Sequence, residues 1–318
     1  MGYDNGTMQL EFILLGQWYL LCYPKLLFTL LLIIYIMSLT GNSLIIYIVQ
    51  MDSRLHIPMY FFLSNLSLLE ILFSSTIVPT MLAVSLSHGK RVSVPGCMSQ
   101  VFFLHFSGSS ECCLLAMMAY DRFMAVCRPL HYNMAMKKSI CFQLAAVSWV
   151  SGFLDGLMLS TLTSKLPFCG PNEVANFFCD IPPLLKLACV DTRANEAMLS
   201  LVGSLLGLIP LIIILLSYFH IISAIQRISS SQGRWKVFST CTSHLTVVCL
   251  VYGTVIFTYI VPSSSYSINP DRLGSVVYAV LTPILNPLIY SLRNHEVKEA
   301  IKKTVWRKIR TLSGLFMD

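Results

Sequence analysis

"LLFTLLLIIYIMSLTGNSLIIYIV", residues 26–49, runs for 24 positions without a Lys, Arg, Asp or Glu. As an α-helix it would be about 36 Å long at 1.5 Å per residue, against a bilayer hydrocarbon core of about 30 Å. The stretch therefore reads as a membrane span. The composition of the whole chain agrees. Charged residues make up only 12% of it, where a soluble domain carries about 25%, so most of its surface meets a solvent other than water.

The same pattern recurs. Residues 197–225 and 237–262 also hold no Lys, Arg, Asp or Glu, and 273–292 is an uncharged run of twenty. Residues 57–86, 98–120 and 139–162 qualify with one acid each, Glu70, Glu111 and Asp155. Residues 12–23 are apolar but too few to span, and they end at Pro24 before Lys25. The expected fold class is all-α: a seven-transmembrane helix bundle followed by a short amphipathic cytoplasmic helix. Its divisions are an extracellular N-terminus (1–25), one membrane domain (26–293) and a cytoplasmic helix and tail (294–318).

Lys and Arg placement orients the bundle. With the N-terminus outside, the inward segments hold fifteen of the 22 Lys and Arg residues, from Arg54 through the cluster Lys298, Lys302, Lys303, Arg307, Lys308 and Arg310. The net charge of +7 thus belongs to the cytoplasmic face of a lipid bilayer, and no nucleic-acid partner is expected. Asp4 and Glu11 precede the first basic residue, so a cleaved signal peptide is not expected. Asn5-Gly6-Thr7 is a glycosylation sequon on the expected outer side.

Cys169, Cys179 and Cys189 lie in the long outer segment 163–196, and Cys97 opens the third span. Four cysteines on an oxidising side permit three pairings. The other seven of the eleven cysteines read as small apolar side chains. No internal repeat appears, which argues against a repeat-built transporter. After Asn294, Val297, Ile301, Val305 and Ile309 recur at four-residue spacing among Lys and Arg, the pattern of a basic helix on the inner leaflet.

Seven spans, a cysteine opening span three, Asp121–Arg122 closing it and "NPLIY" (286–290) in span seven resemble a rhodopsin-like G-protein-coupled receptor. Within that group the chain resembles the vertebrate olfactory receptors almost end to end. The resemblance rests on "GN" (41–42), "LHIPMYFFLSNLSLLE" (55–70), "MAYDRFMAVCRPLHY" (118–132), "SY" (217–218), "KVFSTCTSH" (236–244) and "PILNPLIYSLRN" (283–294). Phe123 stands where the family usually has Tyr, and Val237 where it has Ala.

The resemblance implies a receptor, not an enzyme. It would bind a small volatile odorant between the outer helix halves and activate a stimulatory heterotrimeric G protein, raising cAMP. On span three, helical spacing puts Leu104, His105, Gly108, Ser109 and Cys112 on one face; on span six it does so for Tyr252, Val255, Ile256 and Tyr259. These match pocket positions of the family, as do Val202 and Leu206 on span five and Val276 and Ala279 on span seven. The alternative for any one of them is an ordinary helix-packing residue, and for His105 a satisfied buried histidine is an equal reading. Asp155 reads either as facing the cavity or as snorkelling outward. No Asp lies in 98–110 and no Lys in 273–292, so an amine anchor on span three and a retinal Schiff base are both missing. A pocket of this composition suits a mostly apolar ligand with one or two hydrogen-bonding groups.

For transmission the resemblance implies that Arg122 meets Tyr218 as span six swings out, with Asp121, His244 and Tyr290 in the inner switch. The alternative for Arg122 is a snorkelling interfacial cation. Glu70 and Glu111 fall near mid-membrane, where a charge costs at least about 2.5 kcal/mol. With Asn42 and Asn286 at compatible depth, they are candidates for a Na⁺ or shared-proton site; no tightly bound cofactor is implied. Family geometry favours Cys97–Cys179 with Cys169–Cys189, and Cys97–Cys189 is the competing pairing. A channel or transporter would need a continuous polar path. A metalloenzyme would need more than Cys241 with His244. A related receptor for a metabolite outside the nose is the nearer alternative.

Overall fold

The computed structural model describes residues 11–16, 23–87, 89–169, 172–227, 230–259, 283, 285, 287, 289 and 297–300. The uncharged runs become long helices: α1 (Pro24–Met51), α2 (Pro58–Leu86), α3 (Val94–Cys127), α5 (Lys138–Ser164), α7 (Arg193–Gln226) and α8 (Ser231–Tyr259). Two short ones, α4 (Pro129–Ala135) and α6 (Ile181–Leu185), lie between them. Prolines sit in the first turn of α1, α2, α3 and α4, where the missing N–H had no intrahelical partner to lose. Ser93 caps α3 by accepting from the Gly96 N–H at 3.3 Å. Asp52 caps the 3₁₀ turn Ser53–Leu55 and pairs with Arg54 at 2.7 Å.

Five of these helices, α1, α2, α3, α5 and α7, are long and apolar enough to cross a bilayer, and α8 carries the shorter apolar stretch Cys241–Ile256. On α7 only Pro210, Ile214, Ser217, Tyr218 and Ile221 are buried, while Leu215, Leu216, Phe219 and Ile222 are exposed. Apolar surface of that extent is foreign to a soluble monomer and ordinary against hydrocarbon. The molecule is a multi-pass helical membrane bundle. The first six expected spans coincide with α1, α2, α3, α5, α7 and α8. Of the seventh, only residues 283, 285, 287 and 289 are described, and most of the basic helix after it lies outside the described residues, although Val297 and Ala300 are buried.

α3 is the central strut and packs against α2, α5, α7 and α8. Its closest neighbour is α5, and two glycines are the reason. A Cβ on Gly152 would strike the Ser110 hydroxyl and the Phe106 carbonyl, and one on Gly156 would come within 2.6 Å of the Phe102 carbonyl. Small residues four apart let the two backbones touch, as membrane helices commonly require. Trp149 on α5 donates its indole N–H to the Asn65 amide oxygen on α2 at 3.0 Å. Asn42 on α1 donates to the Pro283 carbonyl at 3.0 Å, and the Ser38 hydroxyl donates to the same oxygen at 3.1 Å. The "GN" and "PILNP" motifs therefore meet in space.

The helical bundle also carries, at the disulfide-bearing end, a small three-stranded sheet of order β2-β1-β3 that the sequence reading did not include. β1 (Glu11–Leu14) pairs antiparallel with β2 (Lys90–Ser93) and parallel with β3 (Glu173–Val174). Phe12 and Leu14 are completely buried, and the Phe12 ring meets Phe168 edge-on at 5.1 Å. Cys97 is bonded to Cys179 and Cys169 to Cys189. Gln100 on α3 ties this cap to the bundle. Its amide donates to the Thr76 carbonyl at 2.8 Å, and its oxygen accepts from the Cys179 N–H at 2.8 Å.

Candidate functional site

Two constellations on α3 draw in the residues singled out above. The first is at the Arg122 end. Asp121 and Arg122 are both buried, so neither is a solvated helix end. The Tyr132 hydroxyl on α4 donates to Asp121 Oδ1 at 2.8 Å. Burial and the adjoining Asp121 carboxylate push the Tyr132 phenol above the usual tyrosine range, so this donor keeps its proton. Arg122 lies beside the Cys241 thiol of α8. A cavity of about 250 Å³ opens here, lined by Asp121, Arg122, Val126, Tyr132, Val237 and Cys241 among others.

One layer deeper, His244 on α8 is fully buried. Its Nε2 faces the Leu115 carbonyl at 3.1 Å, and its Nδ1 lies 2.9 Å from the Tyr218 hydroxyl. A carbonyl only accepts, so Nε2 carries the proton and Nδ1 accepts from Tyr218. The two rings stack at 5.7 Å. One neutral imidazole thereby joins α3, α7 and α8. Phe123, which lacks the usual hydroxyl, packs its ring against His220 of α7 at 5.7 Å.

The second constellation lies toward the disulfide end. Leu104 and Cys112 are buried, and Tyr252 sits against Cys112 while donating its hydroxyl to the Gly207 carbonyl on α7 at 3.2 Å. Val202 and Leu206 are half-buried on the inner face of α7, Val255 packs against the core at the disulfide end, and Ile256 is exposed. Ser109 donates to Asp155 Oδ2 at 2.5 Å. Gly108 and His105 lie on the same stretch of α3, and the His105 Nε2 is buried with no partner among the described residues. The Tyr259 side chain, Val276, Ala279, Asn286, Tyr290 and Asn5 fall outside the described residues. Glu70 and Glu111 are buried on α2 and α3. Among the described residues, no three His, Cys, Asp or Glu side chains cluster as a metal site.

The family model for olfactory receptors matches residues 31–308. The chain belongs to the olfactory receptor family. It is 48% identical to the human protein olfactory receptor 2B2 over 97% of this chain and 87% of that one. It is 48% identical to olfactory receptor 1f45 of Rattus norvegicus over 96% and 97%. Against human olfactory receptor 5B21 the identity is 50% over 94% and 97%.

For an olfactory receptor the structure adds residues that motif reading passed over. Tyr132 ends the quoted "MAYDRFMAVCRPLHY" run, yet its role appears only when α4 folds back toward Asp121. Gln100 carried no signal beyond being an amide in an apolar span. Leu115 acts through its backbone carbonyl, which no side-chain pattern reveals. Asp155 and Ser109 are each visible in the sequence, as an intramembrane acid and a pocket-face residue, but their pairing is not.

Proposed function

We propose that the chain is an odorant receptor of seven spans with its N-terminus outside. It binds small, mostly apolar volatiles between the outer halves of its helices, α3, α5, α7 and α8 among them, and it couples to a stimulatory heterotrimeric G protein that raises cAMP. The observation that carries this reading is the His244 junction beside Arg122. A buried neutral imidazole bonded to both α3 and α7 holds α8 in place, and the Arg122 cavity lies directly below it. Releasing Tyr218 from His244 frees its hydroxyl toward Arg122 and lets α8 move away from α3, widening the cavity for a helical segment of Gα. A ligand that binds the widened state better shifts the equilibrium by its differential affinity for the two states.

Glu70 and Glu111 extend the proposal. Ser107, one turn from Glu111, has a buried hydroxyl with no partner among the described residues. Carboxylate and hydroxyl oxygens are the donors a hard cation takes, so these residues would hold Na⁺ or a shared proton. If Glu70→Gln and Glu111→Gln receptors keep wild-type sodium and pH responses, that extension is wrong.

The main reading is tested by a cAMP-reporter screen of a volatile panel in cells supplied with an olfactory-type Gα. At least one volatile is expected to give a saturable response that Arg122→Ala abolishes at unchanged surface level. Silence to every volatile from receptor shown to be at the surface would overturn it.

A further inference from the structure

Asp155 is the one acid of the membrane helix α5, and only about 5% of its surface is exposed. The contact of Gly152 and Gly156 with the α3 backbone draws this part of α5 inward and sets the carboxyl against Ser109, whose hydroxyl satisfies Oδ2 at 2.5 Å. The second oxygen, Oδ1, is buried with no partner among the described residues. One turn along α3 toward the disulfide end, on the Ser109 face, the His105 Nε2 is also buried and unpartnered among them.

A carboxyl whose work was only to tie α5 to α3 would need one acceptor, and a serine or asparagine would supply it. Asp155 leaves a second oxygen buried without a donor among the described residues, an expensive arrangement unless something else donates to it. Ser109 is also a residue of the pocket face proposed above. We propose that Asp155, oriented by Ser109, is the polar anchor of the ligand pocket and selects odorants that carry a hydrogen-bond donor. The class is a compact apolar body bearing one hydroxyl or one ammonium group. Ketones and ethers of the same skeleton offer only acceptors and leave Oδ1 unpaired. A site built to hydrogen-bond a ligand group discriminates strongly against the analogue lacking it. An ammonium, which carries more than one N–H, has a further acceptor available in the His105 Nε2 when that nitrogen is unprotonated, whereas a hydroxyl has one proton to give and spends it on Asp155.

The inference rests on the odorant-receptor reading, and the test separates the two. Matched series of primary alkanols, primary alkylamines, methyl ketones and methyl ethers are titrated on wild-type, Asp155→Leu, Asp155→Asn and Ser109→Ala receptors, with surface level measured for each. On wild type, alkanols or alkylamines should act at concentrations at least about tenfold below their acceptor-only counterparts, a difference of about 1.4 kcal/mol. Asp155→Leu should bring that ratio close to one. Asp155→Asn keeps an acceptor but adds donors and loses the charge, so it should retain response to alkanols and lose any preference for amines. Ser109→Ala should shrink the ratio without abolishing it. If Asp155→Leu does not reach the surface, the wild-type ranking and the two milder variants still decide the matter. Equal potency of donors and acceptors on wild type, an unchanged ratio in Asp155→Leu, or an unchanged preference for amines in Asp155→Asn overturns the anchor alone. No response to any volatile from surface receptor overturns the odorant reading and the anchor with it.

Discussion

At Asp121, a buried carboxylate takes its hydrogen bond from a tyrosine eleven residues further along the chain rather than from solvent. Hydrogen bonds to charged groups contribute about 1.5–3 kcal/mol, so Tyr132→Phe should loosen α4 from α3. Amide exchange of residues 129–135, corrected for intrinsic rates, should accelerate at least tenfold. Because the Tyr132 phenol is raised above its free value, its stabilising contribution is fully present below about pH 10 and is lost as pH rises through the folded value. Protection of α4 should therefore be flat from about pH 8 to 9 and fall only above about 10. At His244 the test is a double-mutant cycle. Tyr218→Phe and His244→Phe should each lower the melting temperature of the solubilised receptor. Together they should cost less than their sum by about 0.5–1.5 kcal/mol, because they share one bond. Additive losses would show that the 2.9 Å contact contributes nothing.

At the scale of elements, glycine position separates packing from propensity. Gly152 abuts Ser110 and Phe106, whereas nothing lies within 4 Å of a Cβ on Gly203. Gly152→Ala should therefore push α5 off α3 and cost about 1–3 kcal/mol, read as reduced surface expression and melting temperature. Gly203→Ala, in the middle of α7, should be neutral or stabilising by up to about 1 kcal/mol. Equal effects at the two sites would contradict the close approach. The helices were legible because a bilayer imposes a length that a run of uncharged residues can be measured against. The 26–49 run grew by only two residues at each end when it became Pro24–Met51. The sheet was not legible. Its strands are two to four residues long, and Phe12 and Leu14 gain their burial from segments far along the chain, so no local periodicity records it.

Across the whole molecule, Arg122, Tyr218 and His244 stand in family motifs visible in the sequence, and the structure brings the last two into contact. What the sequence hid are the pairings: Ser109 with Asp155 across 46 residues, and His244 with the Leu115 carbonyl across 129. Those depend on how closely helices approach, which small residues set and no single window shows. The Lys and Arg asymmetry predicts an outside N-terminus. An epitope ahead of residue 11 should be labelled on intact cells, and one after residue 318 only after permeabilisation. The measurement closest to the central claim uses the chain reconstituted in lipid nanodiscs with a purified stimulatory heterotrimer, reading nucleotide exchange on Gα against odorant concentration. The expected result is odorant-dependent acceleration of exchange that saturates and disappears in Arg122→Ala. Exchange that is indifferent to every odorant in folded receptor, or equally fast without Arg122, would contradict it.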